Sequence, residues 1–323
     1  MSWSDRKLQH RPAGSAVIDK LKARVIGSAS ALFSHGPQPL VNTLSYRGDA
    51  GLLGPDSVSW PVIGDVTAFV GGIRALLVQT AHPEVVAGVE QHSQYRTDPL
   101  GRLSRTSVYV TETTYGATPE VETAVAAVRT AHGPVRGISD RQKPYSAGQP
   151  ALAAWVHNVL TDSFLVAYQT YGPRALTGDE ADQFVAEQAR IGALLDADPM
   201  PTTANELSAW IAGHSELAAT DAQAQAINFL RDPPLPAAVK LGYRVLFNAA
   251  VATIPGNIAD MTGLAPKPYG ETTGRRGVAA LRWAMGSSPS WHVALVRAGA
   301  PVPPGRFRQP LPESSPGPTG TAV

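Results

Sequence analysis

The feature that most restricts this chain is a recurring pair of signals. Apolar residues fall at helical spacing, and each such stretch is opened by a proline or a capping residue. Val17, Leu21, Val25 and Ile26 mark a helix over 15–32. Residues 62–80 are apolar nearly all round, the pattern of a central helix covered on every side. Pro83 suits the first position of the next helix, where the N–H it lacks has no partner inside the helix. A helix over 100–115 follows, although Val108, Val110 and four threonines weaken its propensity. Gly116 to Glu120 is then a stop and a start. Thr118 can cap, Pro119 suits the first turn, and Glu120 and Glu122 lie near its positive end. Pro150 opens a helix to residue 171. Thr177 with Glu180, and Thr203 with Glu206, fit the capping box and open helices over 179–196 and 206–220. Residues 236–253 and 277–285 supply the last two helices. No internal repeat occurs, and no two-residue alternation is long enough for a sheet. The fold class is all-α.

The 323 residues divide into an N-terminal helical extension (1–44), a main helical domain (45–299) and a tail (300–323). Seven prolines follow Ala300, so the tail is expected to be disordered. Only 16% of residues are charged and the net charge is +1 with no long basic run, which argues against a nucleic-acid partner. Cysteine is absent, which excludes disulfides, thiolate metal sites and cysteine nucleophiles. The first residues lack the apolar core of a secretory signal, and the most apolar window, 61–81, is interrupted by Asp65 and Arg74. No transmembrane span is expected; a cytoplasmic protein is, with room for peripheral membrane contact. No heptad pattern speaks to oligomeric state.

Chemistry-bearing motifs are few. There is no dinucleotide fingerprint, P-loop, His-Glu-x-x-His pair or Gly-x-Ser-x-Gly elbow. Three clusters remain. Arg102, Arg105 and Thr106 share a helical face, with Tyr109 one turn further. Two guanidinium groups and a hydroxyl there ask for an anionic or oxygen-rich partner. The alternative is that the arginines pair with Asp98, Glu112 or a neighbouring helix, or reach solvent. His132 ends an apolar stripe of Val121, Val125 and Val128, with Arg129 and Arg136 at minus three and plus four. It can be a core histidine or an inward ligand for haem iron, and Pro134 ends its helix just beyond. Trp155, Val156 and His157 form the third cluster, where His157 either lines the same cavity or packs against a carbonyl. His82 and His92, ten residues apart, match no compact metal motif.

Taken together, these segments resemble the family of the latex-clearing protein and the MpaB-type oxygenase. The matching text is GIRALLVQTAHP from Gly72, GVEQHS from Gly88, DPLGRLSRT from Asp98, VRTAHGPVRG from Val128, Tyr145-Ser-Ala and Trp155-Val-His157. It spans roughly residues 45 to 260. The resemblance implies a b-type haem between helices of a globin-like core, and dioxygen chemistry on carbon–carbon double bonds of a small hydrophobic, isoprenoid-like substrate. It implies His132 as the proximal iron ligand, Arg102 and Thr106 as catalytic residues in the distal cavity, and Arg105, Arg136 and His157 as further cofactor contacts. One departure stands out. The latex-clearing enzyme can place a lysine on the distal side where this chain has Arg105, and an arginine cannot donate a lone pair to iron. The family's glutamate has no clear counterpart, Glu90 being nearest by position. The same residues would also serve a non-catalytic haem protein (a gas sensor or carrier), a peroxidase-like scavenger, or a helical protein that has lost its haem.

Overall fold

The structure, a computed structural model, describes residues 13–33 and 35–311. Its centre is the pairing of α3 (Thr67–Gln79) with α7 (Pro150–Tyr171), the most extensive helix contact in the fold. Val70, Ala75, Leu77 and Val78 of α3 meet Trp155, Val159 and Ala167 of α7 in the buried core. The axes approach closely because Gly71 has no side chain: a Cβ there would stand 2.7 Å from the Phe164 ring. The seam also carries buried charge. Arg74 donates to Asp162 at 2.7 Å and to Ser163 at 2.8 Å.

Around this pair the chain adds α1 (Ala13–Phe33), α2 (Ser59–Ile63), α4 (Pro83–His92), α5 (Pro99–Tyr115) and α6 (Thr118–His132) before α7. After it come α8 (Gly178–Ala193), α9 (Ala204–Ala212), α10 (Asp221–Arg231), α11 (Ala237–Val251), α12 (Gly256–Thr262), α13 (Gly270–Met285) and α14 (Pro289–Ala298). The described residues are thus predominantly helical, as the spacing predicts. A single hairpin, β1 (Arg136–Ile138) with β2 (Pro144–Ser146), runs antiparallel with Gly137 opposite Tyr145.

Several elements differ from the sequence expectation for identifiable reasons. The central run over 62–80 breaks between α2 and α3. There the Asp65 carboxylate accepts from the Thr67 amide at 2.9 Å and pairs with Arg282 at 2.7 Å, which starts a new helix. The helix expected over 206–220 stops at Ala212. His214 then packs its ring on Trp155 and Trp210, and Thr220 caps α10 through the Gln223 amide. Helices α10, α12 and α14 and the hairpin are elements the apolar spacing does not announce. Residues 300–311 are not loose. The Ser287 amide donates to the Arg306 carbonyl at 2.9 Å, and Phe307 stacks on His292 with ring centres 4.5 Å apart. One aromatic residue with a place to dock outweighs the proline content there. The remainder of the tail and residues 1–12 lie outside the described residues. The described part of the N-terminal extension, α1, packs on α5 and α13.

Candidate functional site

The turn between α5 and α6 is fixed from three sides, and that turn sets how the two helices diverge. Trp60, fully buried, donates its indole N–H to the Thr114 carbonyl at 2.8 Å, and the Tyr115 hydroxyl donates to the Trp60 carbonyl at 2.7 Å. Arg297, 1% exposed, donates to the Thr43 hydroxyl at 2.7 Å and the Asp49 carbonyl at 2.9 Å. Asp49 in turn accepts from the Thr118 amide at 2.8 Å. Thr118, expected as the cap of α6, is therefore its first residue. A full carboxylate from a distant loop takes the place at the positive helix end that a hydroxyl would fill more weakly.

Between α5, the end of α6, α3 and α7 lies a cavity of about 2290 Å³, walled mainly by side chains such as Phe69, Ile73, Leu103, Val128, Leu160 and Phe164. Small-molecule pockets typically span roughly 300–1,000 Å³, so this one has room for a large ligand or for two ligands together. Arg102, Arg105, Thr106, His132 and His157 all line it. Their surroundings differ sharply.

The His132 imidazole, at the last residue of α6, has no hydrogen-bond or ion-pair partner among the described residues. It is exposed on the cavity side, yet enough protein surrounds it to lower its pKa from the usual 6.5. It is a neutral donor with a free lone pair. Arg102 pairs with neither Asp98 nor Glu112. Its guanidinium meets only the Tyr95 ring, 5.8 Å from the centroid, and burial lowers its pKa. Glu90 attracts it only from beyond ion-pair distance, and a largely desolvated cation without a directly paired anion is costly unless a ligand supplies one. Beside it on α5, Tyr109 keeps a buried hydroxyl with no partner, and burial pushes its pKa up to about 12.

The remaining candidates are already engaged. Arg105 is exposed and pairs with Asp98 at 3.3 Å, the structural alternative the sequence left open. The Thr106 hydroxyl donates to the Arg102 carbonyl at 3.1 Å, which leaves its oxygen free to accept. His157 edges onto the cavity, but its Nε2 is 2.7 Å from the Gln188 carbonyl, and burial holds its pKa at about 4. Arg136 does not stand one helical turn beyond His132. Pro134 ends the helix, and Arg136 begins β1 with its guanidinium turned back to the Gly133 carbonyl at 3.0 Å, outside the cavity lining. Glu90 is occupied by Tyr95 and by Arg96, the latter at 2.8 Å.

A family profile described as "ER-bound oxygenase mpaB/B'/Rubber oxygenase, catalytic domain" matches residues 60–283. The chain belongs to this family. The match takes in α3 to α7, which carry Arg102, Thr106 and His132, whereas the cavity wall extends beyond it to α1 residues such as Leu21 and Arg24. It leaves α1 and α14 outside. No curated protein and no solved structure matches the chain. Two groups within the MpaB-type domain carry no obvious sequence signal. Tyr95 precedes α5 in a loop and supplies the ring under Arg102. Glu112 is half-buried, and burial, aided by the Glu120 charge, raises its carboxyl to about 7. Its one sequence cue is that it is the lone acid on a helix whose other charged residues are Arg102 and Arg105.

Proposed function

We propose that this oxygenase-family chain is a haem b enzyme with His132 as the axial iron ligand, acting with dioxygen on a hydrophobic, isoprenoid-like alkene. The observation that carries this reading is the pair of unpartnered groups, His132 and Arg102, on successive helices facing one apolar cavity. The donor chemistry fits. Among the described residues no three His, Asp or Glu side chains gather to hold a metal ion. His132, an imidazole without a hydrogen-bond or ion-pair partner among the described residues and on the lining of a cavity large enough for a macrocycle, could supply the one protein ligand that a haem iron takes.

When bound, haem supplies the redox chemistry that lets dioxygen cleave a carbon–carbon double bond into two carbonyl groups. The protein's part follows from its side chains. His132 stays neutral near pH 7, because burial disfavours its protonated form. Arg102 keeps its charge and offers N–H donors to a carboxylate of the cofactor or to negative charge developing on oxygen. Thr106 can accept a hydrogen bond without losing the one it donates. Arg105, tied to Asp98 and without a lone pair, would not itself ligate the iron. The apolar walls exclude water and hold the alkene.

The test is a visible spectrum of protein produced with a haem precursor, wild type beside His132→Ala, followed by dioxygen uptake with a short polyprenol. A Soret band that the substitution abolishes or shifts, with uptake in the wild type only, is the expected result. An unchanged band would move the ligand elsewhere, and no band in the wild type would overturn the haem assignment. Haem bound without uptake would favour the carrier or sensor reading.

A further inference from the structure

Charge is distributed along this chain far less evenly than its net value of +1 suggests. Residues 34–230 hold 11 Lys and Arg against 20 Asp and Glu. Residues 231–308 hold 10 against 3, and α1 adds three cations against one anion. The basic portions are not separate in space. Helix α13 packs on both α1 and α11. Gly277 lets α13 approach α11 so closely that a Cβ would stand 2.7 Å from Val245, and the Lys22 ammonium lies 4.6 Å over the Trp283 ring, joining α1 to α13.

This basic assembly also exposes large apolar side chains. Leu21 is 53% exposed, Leu241 74% and Trp283 42%. They alternate with cations: Lys20, Lys22 and Arg24 flank Leu21, Arg244 follows Leu241 by three residues, and Arg276 precedes Trp283 by two turns. Lys20, Arg24 and Arg276 have no carboxylate partner among the described residues. Leu21, Arg24 and Trp283 line the same large cavity that holds His132. The wall is thus both an outer surface and one boundary of the cavity.

We propose that the face formed by α1, α11 and α13 docks on a lipid surface bearing anionic headgroups, so that the apolar cavity faces the lipid. Exposed leucine and tryptophan among lysines and arginines is the composition of a helix surface that lies in the headgroup layer, with the apolar side chains entering and the cations meeting phosphate. The acidic remainder of the molecule disfavours any other orientation on such a surface. A protein partner would need a matching shape, whereas a lipid surface needs only this mixture of charge and apolar area. All of α1 lies outside the family match, so its three cations are an addition to the matched domain, whereas α11 and most of α13 lie within it. No helix among the described residues is long and apolar enough to cross a bilayer, so the contact is peripheral.

The experiment is cosedimentation of the full chain with vesicles of phosphatidylcholine alone or of phosphatidylcholine with phosphatidylglycerol. Binding to the anionic vesicles only, reversed by high salt, is expected. Each Lys or Arg near an anionic surface is worth about fivefold in partitioning, so Lys20→Gln, Lys22→Gln and Arg24→Gln together should lower binding on the order of a hundredfold. Arg276→Gln, on a different helix, should lower it by about fivefold. Circular dichroism establishes that each variant keeps its helices. Equal binding to both vesicle types, no binding at all, or wild-type binding by both variants would overturn the proposal. So would a dimer in solution that Leu21→Ser with Trp283→Ala dissociates, since the face would then be covered by a second copy. None of these readings depends on haem.

Discussion

On the α3–α7 seam the Arg74 guanidinium donates to Asp162 at 2.7 Å, to Ser163 at 2.8 Å and to the Thr253 carbonyl at 3.2 Å. On α5 the Arg102 guanidinium has only the face of Tyr95. The histidines divide the same way. His157 on α7 is bound to a carbonyl, whereas His132 at the end of α6 has no partner among the described residues. The two helix pairs therefore treat like side chains in opposite ways. The seam satisfies its polar groups internally and holds the fold, while the α5–α6 wall leaves its groups open to a ligand. Unpaired buried polar groups are rare in native proteins because they are costly, and α5 carries two of them, the Ser104 and Tyr109 hydroxyls, on the same helix as Arg102.

The comparison is broken most directly by removing the two arginines in turn. Arg74→Ala leaves Asp162 buried without its cation and should cost about 3–5 kcal/mol. Arg102→Ala removes a desolvated charge that has no ion-pair partner within 4 Å among the described residues, Glu90 acting on it only at longer range, so stability should change by no more than about 0.5 kcal/mol or rise. Urea unfolding of both variants without added haem checks this. Equal losses would mean that Arg102 has a structural partner after all and that the two walls are alike.

Acid titration sharpens the contrast from the satisfied side. His157 titrates at about 4 in the fold against about 6.5 in the unfolded chain. As pH falls below 6.5 the unfolded chain takes up the proton first. Stability is complete above that value and falls until the folded value is reached, by about 3 kcal/mol for this one group. His82, 4% exposed and also held at about 4, adds a loss of the same sign. Urea midpoints measured across this range should therefore decline with acid, and His157→Gln should flatten the decline.

The helical class and the starts of α4, α7, α8 and α9 were legible in the sequence because proline and threonine act locally, on the turn they open. The Arg102, Thr106 and His132 faces were legible too, since spacing fixes which side of a helix a residue occupies. What spacing could not supply is whether a partner exists across the fold. Arg105 and Asp98 are close in sequence, and their pairing was foreseeable; the Gln188 carbonyl that engages His157 lies 31 residues away on another helix. Arg136 was misplaced because extrapolating a helical turn past Pro134 ignores the break that proline imposes. The basic face is hidden in the composition because a net charge of +1 averages over two portions of opposite sign.

The smallest effect, and the finest comparison, lies in two adjacent residues. Gly71 and Gly72 sit side by side on α3, one turned to the seam and the other to the cavity. A Cβ at Gly71 would meet the Phe164 ring at 2.7 Å and the Phe164 Cα and Ser163 carbonyl at 3.1 Å, whereas a Cβ at Gly72 meets nothing within 4 Å. Gly71→Ala should force the helices apart at a cost of about 1–3 kcal/mol. Gly72→Ala should stabilise the haem-free protein by up to about 1 kcal/mol, because alanine is the better helix former and no packing opposes it. Opposite signs in thermal unfolding would confirm that the seam is filled by the protein and that the space beside Gly72 is not. Loss of stability in both would mean that the cavity wall closes when empty. If Gly72→Ala raises stability yet weakens the Soret band, the added methyl group has entered space that the cofactor occupies.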